Sequence, residues 1–257
     1  MALTFHACPK CGHVRQPGES DAPERCPACG LYFAKWATRS SFKPARSADA
    51  GSEETGSTWK AALLSALRER LTHVPDNAGA LHVYSRAAML ALFAVWGVRL
   101  ALMDYRTGEI GASFMHAILL PIHEAGHIIL IPFGQFLTIL GGSLLQIVFP
   151  LIVGCTVLWQ NRDPFGAALG LWWCGASLVD LAPYVYDAKN PQLMLLGGHT
   201  GEDGPHDWIY LLGVFGKIPQ SQGYGFLVHK LGVVVMAGAL VWAGSVLWRI
   251  HRQRSDK

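Results

Sequence analysis

The chain has 257 residues, of which 51% are hydrophobic and only 15% charged, and its mean hydropathy is +0.26. That composition excludes a disordered chain and disfavours a soluble enzyme. A net charge of +3 is too small to point to nucleic acid, so the placement of the charges matters more than their sum.

At the N-terminus, Met1 to Cys29 is interrupted by charges, prolines and cysteines. It lacks the apolar core of a secretory signal, so the first membrane span is expected to direct its own insertion. Four of the six cysteines lie here, in Cys8-Pro-Lys-Cys11-Gly and Cys26-Pro-Ala-Cys29-Gly, with 14 residues between Cys11 and Cys26. Each loop sets two thiolates on one side of a tight turn, and the glycine that follows lets backbone amides approach sulfur. Two such loops complete a tetrahedral site. Residues 1–35 can hardly bury a core without a metal, and the paired spacing points to structural zinc in a reducing compartment. With four protein ligands the site is closed and does no chemistry. The pattern resembles a zinc ribbon, whose expected role is to bind a cytoplasmic protein partner. Seven Lys and Arg against six Asp and Glu in residues 1–57 speak against nucleic acid.

Residues 36–57 are rich in Ser, Ala, Gly and charge without a hydrophobic period, which describes a flexible linker. Residues 58–75 form a candidate amphipathic helix. Leu63, Leu64, Leu67 and Leu71 fall on one face, with Lys60, Arg68 and Arg70 elsewhere. It is suited either to an anionic membrane surface or to packing on the body.

The membrane body is expected over 82–249, followed by a basic tail at 250–257. From Ile110 to Gln160 the only full charge is Glu124, and from Pro164 to Tyr186 it is Asp180. Since a span takes about 20 mostly apolar residues, His82–Met103, Ile110–Phe133, Phe136–Trp159, Pro164–Asp187 and Tyr224–Trp248 are each long enough. Trp208–Gly216 is too short for a span and suits a re-entrant or interfacial helix. The fold class is therefore mainly α, a polytopic transmembrane bundle of five or six spans with a small N-terminal zinc ribbon. Lys60, Arg68, Arg70 and Arg86 at one end, and Arg249, Arg252, Arg254 and Lys257 at the other, put both ends in the cytoplasm. Two cytoplasmic ends require an even number of spans, against a count of five. The expected location is the inner or plasma membrane with the ribbon cytoplasmic.

The chemistry is expected in the second span. In His123-Glu124-Ala125-Gly126-His127 the two histidines stand one helical turn apart on one face, so both imidazoles can hold one ion. Zinc there lowers the pKa of a bound water towards about 7, and Glu124 beside it serves as general base and later returns the proton to the leaving group. Two histidines and a carboxylate are costly in lipid and face an interior site when they occur. A catalytic zinc needs a third protein ligand and an open position. Asp187 is the first candidate, because Pro183 breaks the fourth span and leaves that carboxylate at its membrane end. His206 and Asp207, in the polar stretch before the short apolar helix, are alternatives, with Asp180 behind them. Asp207 also suits a helix N-cap and His199 a solvated loop. His116 lies on the face of His123 and is expected to pack behind it or support it. Gly141-Gly142-Ser143 permits close helix approach beside the active span.

An HEAGH within a transmembrane helix, followed two spans later by a proline-containing segment that ends in aspartate, resembles the site-2 protease-like intramembrane zinc metallopeptidases. That resemblance, over residues 110–188, implies His123 and His127 as ligands, Glu124 as base, Asp187 as third ligand and Asp180 at the family's asparagine position. It implies a catalytic zinc, beside the structural zinc expected of the cysteine loops, and a transmembrane or juxtamembrane protein as substrate. Alanine at 188 and aspartate at 180 depart from the family's glycine and asparagine. Two other readings stand beside it: a membrane zinc hydrolase of a lipid or a small amide or ester, and a non-catalytic scaffold that uses the ribbon for interaction.

Overall fold

The computed structural model describes residues 7, 8, 10–14, 24–33, 55–75 and 78–255, in a chain of two compact units, Met1–Gly56 and Ser57–Lys257. Most of the expected linker, and the last two residues of the basic tail, lie outside the described residues.

In the first unit the two cysteine loops fold alike. Cys8 N donates to His13 O and Cys26 N to Leu31 O, each at 2.9 Å, while Gly12 N and Gly30 N turn back to the carbonyls of Cys8 and Cys26. Those turns need positive φ, 71° at Gly12 and 72° at Gly30, which glycine adopts without strain. Single antiparallel bridges, Ala7 with Val14 and Arg25 with Tyr32, close each loop. The sulfurs of Cys8, Cys11, Cys26 and Cys29 all lie within 4.8 Å of one another, a four-cysteine cluster as the spacing requires.

The regular secondary structure of the second unit is all helical among its described residues. It comprises α1 (Thr55–Leu71), α2 (Ala80–Leu102), α3 (Phe114–Leu130), α4 (Gln135–Gln160), α5 (Pro164–Asp187), α6 (Asp207–Val214) and α7 (Ser221–Ser255). Five of these, α2 to α5 and α7, are long and apolar enough to cross a bilayer, which marks an integral membrane protein. The starts are written locally. The Ser113 side chain accepts from His116 N to cap α3, and Asp163 Oδ1 accepts from the Phe165 and Gly166 amides with Pro164 as first helical residue of α5. The short apolar stretch expected at Trp208–Gly216 is α6, too short to span.

α5 is the buried axis of the bundle. It lies against α7 along most of its length, and Gly175 faces Gly232 so closely that a Cβ on either would press on the other's carbonyl. Trp172, Ala176 and Val179 of α5 join Leu100, Ile110, Leu119 and Met236 in the main core.

Contacts between helix ends give the path of the chain. Arg86 near the start of α2 pairs with Asp163 at 3.0 Å, Arg70 donates to Trp159 O at 2.9 Å, and Val83 packs with Phe165, Val246 and Ile250. The starts of α2 and α5 and the ends of α4 and α7 thus share one end of the bundle, which also carries Arg68, Arg162, Arg249, Arg252 and Arg254. At the other end, Tyr105 after α2 meets Tyr186 and His229, and Ser221 at the head of α7 donates to Tyr186 O. α3 behaves differently. It starts partway along the bundle, where the largely exposed Phe114 stacks on Trp96, and finishes where the Thr138 hydroxyl donates to Leu130 O at the head of α4. The chain therefore enters and leaves α3 from the same end, and four helices run the length of the bundle. α1 and the tail of α7 meet at the basic end.

This path predicts labelling. In a background without reactive thiols, Gln135→Cys and Lys189→Cys are expected to react with an impermeant maleimide from one face, and Asn161→Cys from the opposite face. Labelling of positions 135 and 161 from the same face would mean that α4 does not cross.

Candidate metal centre in the membrane body

The body site starts from the helical register of α3. One turn apart, His123 and His127 stand with ring centroids 4.9 Å apart and both turn Nε2 towards α4 and α6. Asp207, the first residue of α6, places Oδ2 at 3.1 Å from His123 Nε2 and 3.2 Å from His127 Nε2. Ligand atoms of these three residues all lie within 4.8 Å of one another. Glu124 lines the same cavity, which measures about 710 Å³.

The back of each ring is fixed. His127 Nδ1 stands 2.8 Å from the Thr138 carbonyl, which can only accept, so Nδ1 donates. His123 Nδ1 stands 2.9 Å from Gln146 Oε1. The Gln146 amide nitrogen is committed to Asp180 Oδ2 at 2.8 Å and Ser177 O at 3.3 Å, which turns its oxygen to His123 and makes that Nδ1 a donor as well. With both Nδ1 atoms protonated, each Nε2 either carries a second proton or aims its lone pair at Asp207. Burial pushes the Asp207 carboxyl up, while imidazoles that donate to it hold it below the ordinary carboxylate range. Two lone pairs aimed at a carboxylate repel it, and a divalent cation between the three turns that repulsion into three ligand bonds.

Space for an ion is built into α4. A Cβ placed on Gly142 would run into Nε2 of both histidines, and Gly126 and Gly141 bring α3 and α4 together so closely that a Cβ on either would meet the other's carbonyl. Two neutral imidazoles, a carboxylate and an open side towards the cavity form a donor set that fits Zn²⁺.

The other anticipated residues take different places. The structure brings Asp207, one of the alternatives for the third ligand, to the two histidines, and Asp187 stands elsewhere. At the end of α5 the Asp187 side chain turns to the outgoing loop, where Oδ1 accepts from Gln192 N at 2.8 Å and Leu193 N at 3.1 Å. Its Oδ2 faces His206 Nε2 at 3.4 Å. His206 is likewise outside the group; its Nδ1 accepts from Ile209 N and caps α6, the role expected of Asp207. Asp187 and His206 thus clasp the end of α5 to the start of α6, and Tyr184 stacks on His206 while its hydroxyl accepts from Asp207 N. Asp180 is not beside the imidazole Nε2 atoms either. It accepts from Gln146 and lies 3.0 Å from His116 Nδ1, a buried chain from His116 through Asp180 and Gln146 to His123. His116 therefore supports the pair from behind, and His199 lines the cavity rather than facing open solvent.

Sequence reasoning missed Gln146, the Thr138 carbonyl and Tyr184. For Gln146 a signal existed: it is a lone amide in the apolar run of α4, where an unpaired polar group is costly. Zinc content of purified variants distinguishes the two carboxylates. Asp207→Asn is expected to lose the metal of the body, and Asp187→Asn to retain it with a looser α6.

No family model matches the chain, and neither the curated proteins nor the solved structures contain a match.

Proposed function

We propose that this chain is a membrane-embedded zinc metallopeptidase of the site-2 protease-like kind, carrying a zinc ribbon at its N-terminus. The observation that carries the reading is the convergence of His123, His127 and Asp207 on one point, with Glu124 lining the same cavity. Zn²⁺ held by those three residues supplies Lewis-acid polarisation of a carbonyl and lowers the pKa of a water towards about 7.

The chain's own residues do the rest. Glu124 takes a proton from the attacking water as its oxygen bonds to the scissile carbonyl carbon, then passes that proton to the leaving nitrogen as the C–N bond breaks. Gln146 and the Thr138 carbonyl keep both imidazoles in the tautomer that presents Nε2 to the site. The Asp187–His206 clasp sets Asp207 against them. Leu193, Met194, Leu195 and Leu196 wall the cavity, and Met194 and Leu196 remain largely exposed. An apolar wall over a polar floor suits an unwound segment of a membrane protein.

The site lies towards the end of the bundle opposite Arg162, Arg249 and Arg252. The positive-inside rule puts that basic end in the cytoplasm, so cleavage is directed to the outer half of the membrane.

The test is a substrate survey with the purified protein in detergent, comparing peptides that contain an apolar segment with phospholipids and small esters. Cleavage of a peptide bond that stops with a chelator and returns with zinc supports the reading. Turnover of lipids or esters alone would replace it with a zinc hydrolase of another class.

A further inference from the structure

The basic end of the bundle has a feature that peptide hydrolysis does not use. α1 is tied to that end at its C-terminus, where Leu71 O accepts from Trp242 Nε1 at 3.0 Å and Arg70 donates to Trp159 O. Its apolar side chains stay largely open among the described residues: Trp59 is 58% exposed, Leu63 52% and Leu64 66%. A helix pinned by one end to a membrane bundle, with bare leucines and a tryptophan beside Lys60 and Arg68, fits the plane of the headgroups.

Just beyond α1 lies an open groove of about 360 Å³, lined by Thr72 and Val74 on one side and Trp248, Arg249, Arg252 and Gln253 of α7 on the other. The Arg252 guanidinium sits over the Trp248 ring at 5.6 Å, which leaves its N–H edge open. Among the described residues neither Arg249 nor Arg252 has a carboxylate partner. The groove therefore offers two unneutralised guanidiniums, an amide and an apolar wall. Trp159, Trp242 and Trp248 all stand towards this end of the bundle, as aromatic side chains do where headgroups meet acyl chains.

We propose that this groove binds the headgroup of an anionic phospholipid, with its phosphate on Arg249 and Arg252 and its glycerol end against Val74 and Trp248, while α1 lies in the surrounding interface. Guanidinium pairs recognise phosphate through parallel N–H donors, and lipid supplies the apolar contact that a free phosphate lacks. The proposal is independent of the metal site.

The test is native mass spectrometry of the full-length protein in detergent, with phosphatidylglycerol and phosphatidylcholine at equal concentration. The wild type is expected to retain one phosphatidylglycerol in preference to phosphatidylcholine by about tenfold. Arg249→Gln with Arg252→Gln should bring the two lipids level, whereas Lys217→Gln at the opposite end should leave the preference intact. Zinc content and melting temperature of the variants report that they remain folded. Equal retention of both lipids by the wild type, or an undiminished preference in the double variant, would overturn the proposal. Displacement of the lipid by millimolar inorganic phosphate would overturn its lipid part, leaving a plain phosphate site.

Discussion

Glu124→Gln is expected to keep the fold and both metals while peptide cleavage falls by about 10²- to 10⁴-fold, the usual contribution of a general base. The substitution preserves shape and hydrogen bonding but removes the group that takes the proton. Glu124 is not among the three residues whose ligand atoms converge, so zinc retention follows directly from the geometry. Its activity is measured on purified protein beside a chelator-treated sample, with the residual rate of each compared. Cleavage undiminished in the variant would remove Glu124 from the mechanism while leaving the metal centre in place.

Gly142→Val is expected to empty the body site without unfolding the protein. A Cβ at 142 points at Nε2 of both histidines, so even one carbon occupies the space where an ion must sit. The effect should be loss of one zinc per chain and of all activity, with a modest drop in melting temperature from crowding in the α3–α4 contact. Gly238→Ala on α7 is the matched control, since a Cβ there meets nothing within 4 Å. It should leave metal and activity unchanged. A Gly142→Val protein that binds zinc as tightly as the wild type would mean that the histidines turn elsewhere to bind it.

Much of this arrangement was legible before any coordinates, for physical reasons that can be named. Span-length apolar runs between charged loops become helices because lipid leaves the backbone no other partners, so α2, α4 and α5 begin and end within a few residues of the expected limits. α7 runs on to Ser255, past the expected end of its span at Trp248, because an exposed basic tail can stay helical beyond the bilayer. The cysteine loops were legible because sulfur spacing and glycine placement fix a local turn. His123 and His127 converge because helical pitch alone puts them on one face.

The third partner was harder to read because it depends on tertiary placement. Asp187 and Asp207 each stand at a helix boundary near the site, and sequence gives no sign of which way either carboxylate turns. Two amides in the loop after α5 hold Asp187, and His206 rather than Asp207 caps α6, which frees the Asp207 side chain for the histidines. The path of α3 was hidden for a similar reason: composition shows that a helix is apolar, and only its contacts show that the chain leaves it on the side from which it came.

The most direct measurement of the central claim is the zinc content of the purified wild type beside a His123→Ala, His127→Ala variant, by elemental analysis. With one four-cysteine cluster and one His₂Asp group among the described residues, the wild type is expected to hold two zinc ions per chain and the variant one. One ion in both proteins, unchanged after incubation with zinc and removal of the excess, would contradict a metal centre in the membrane body.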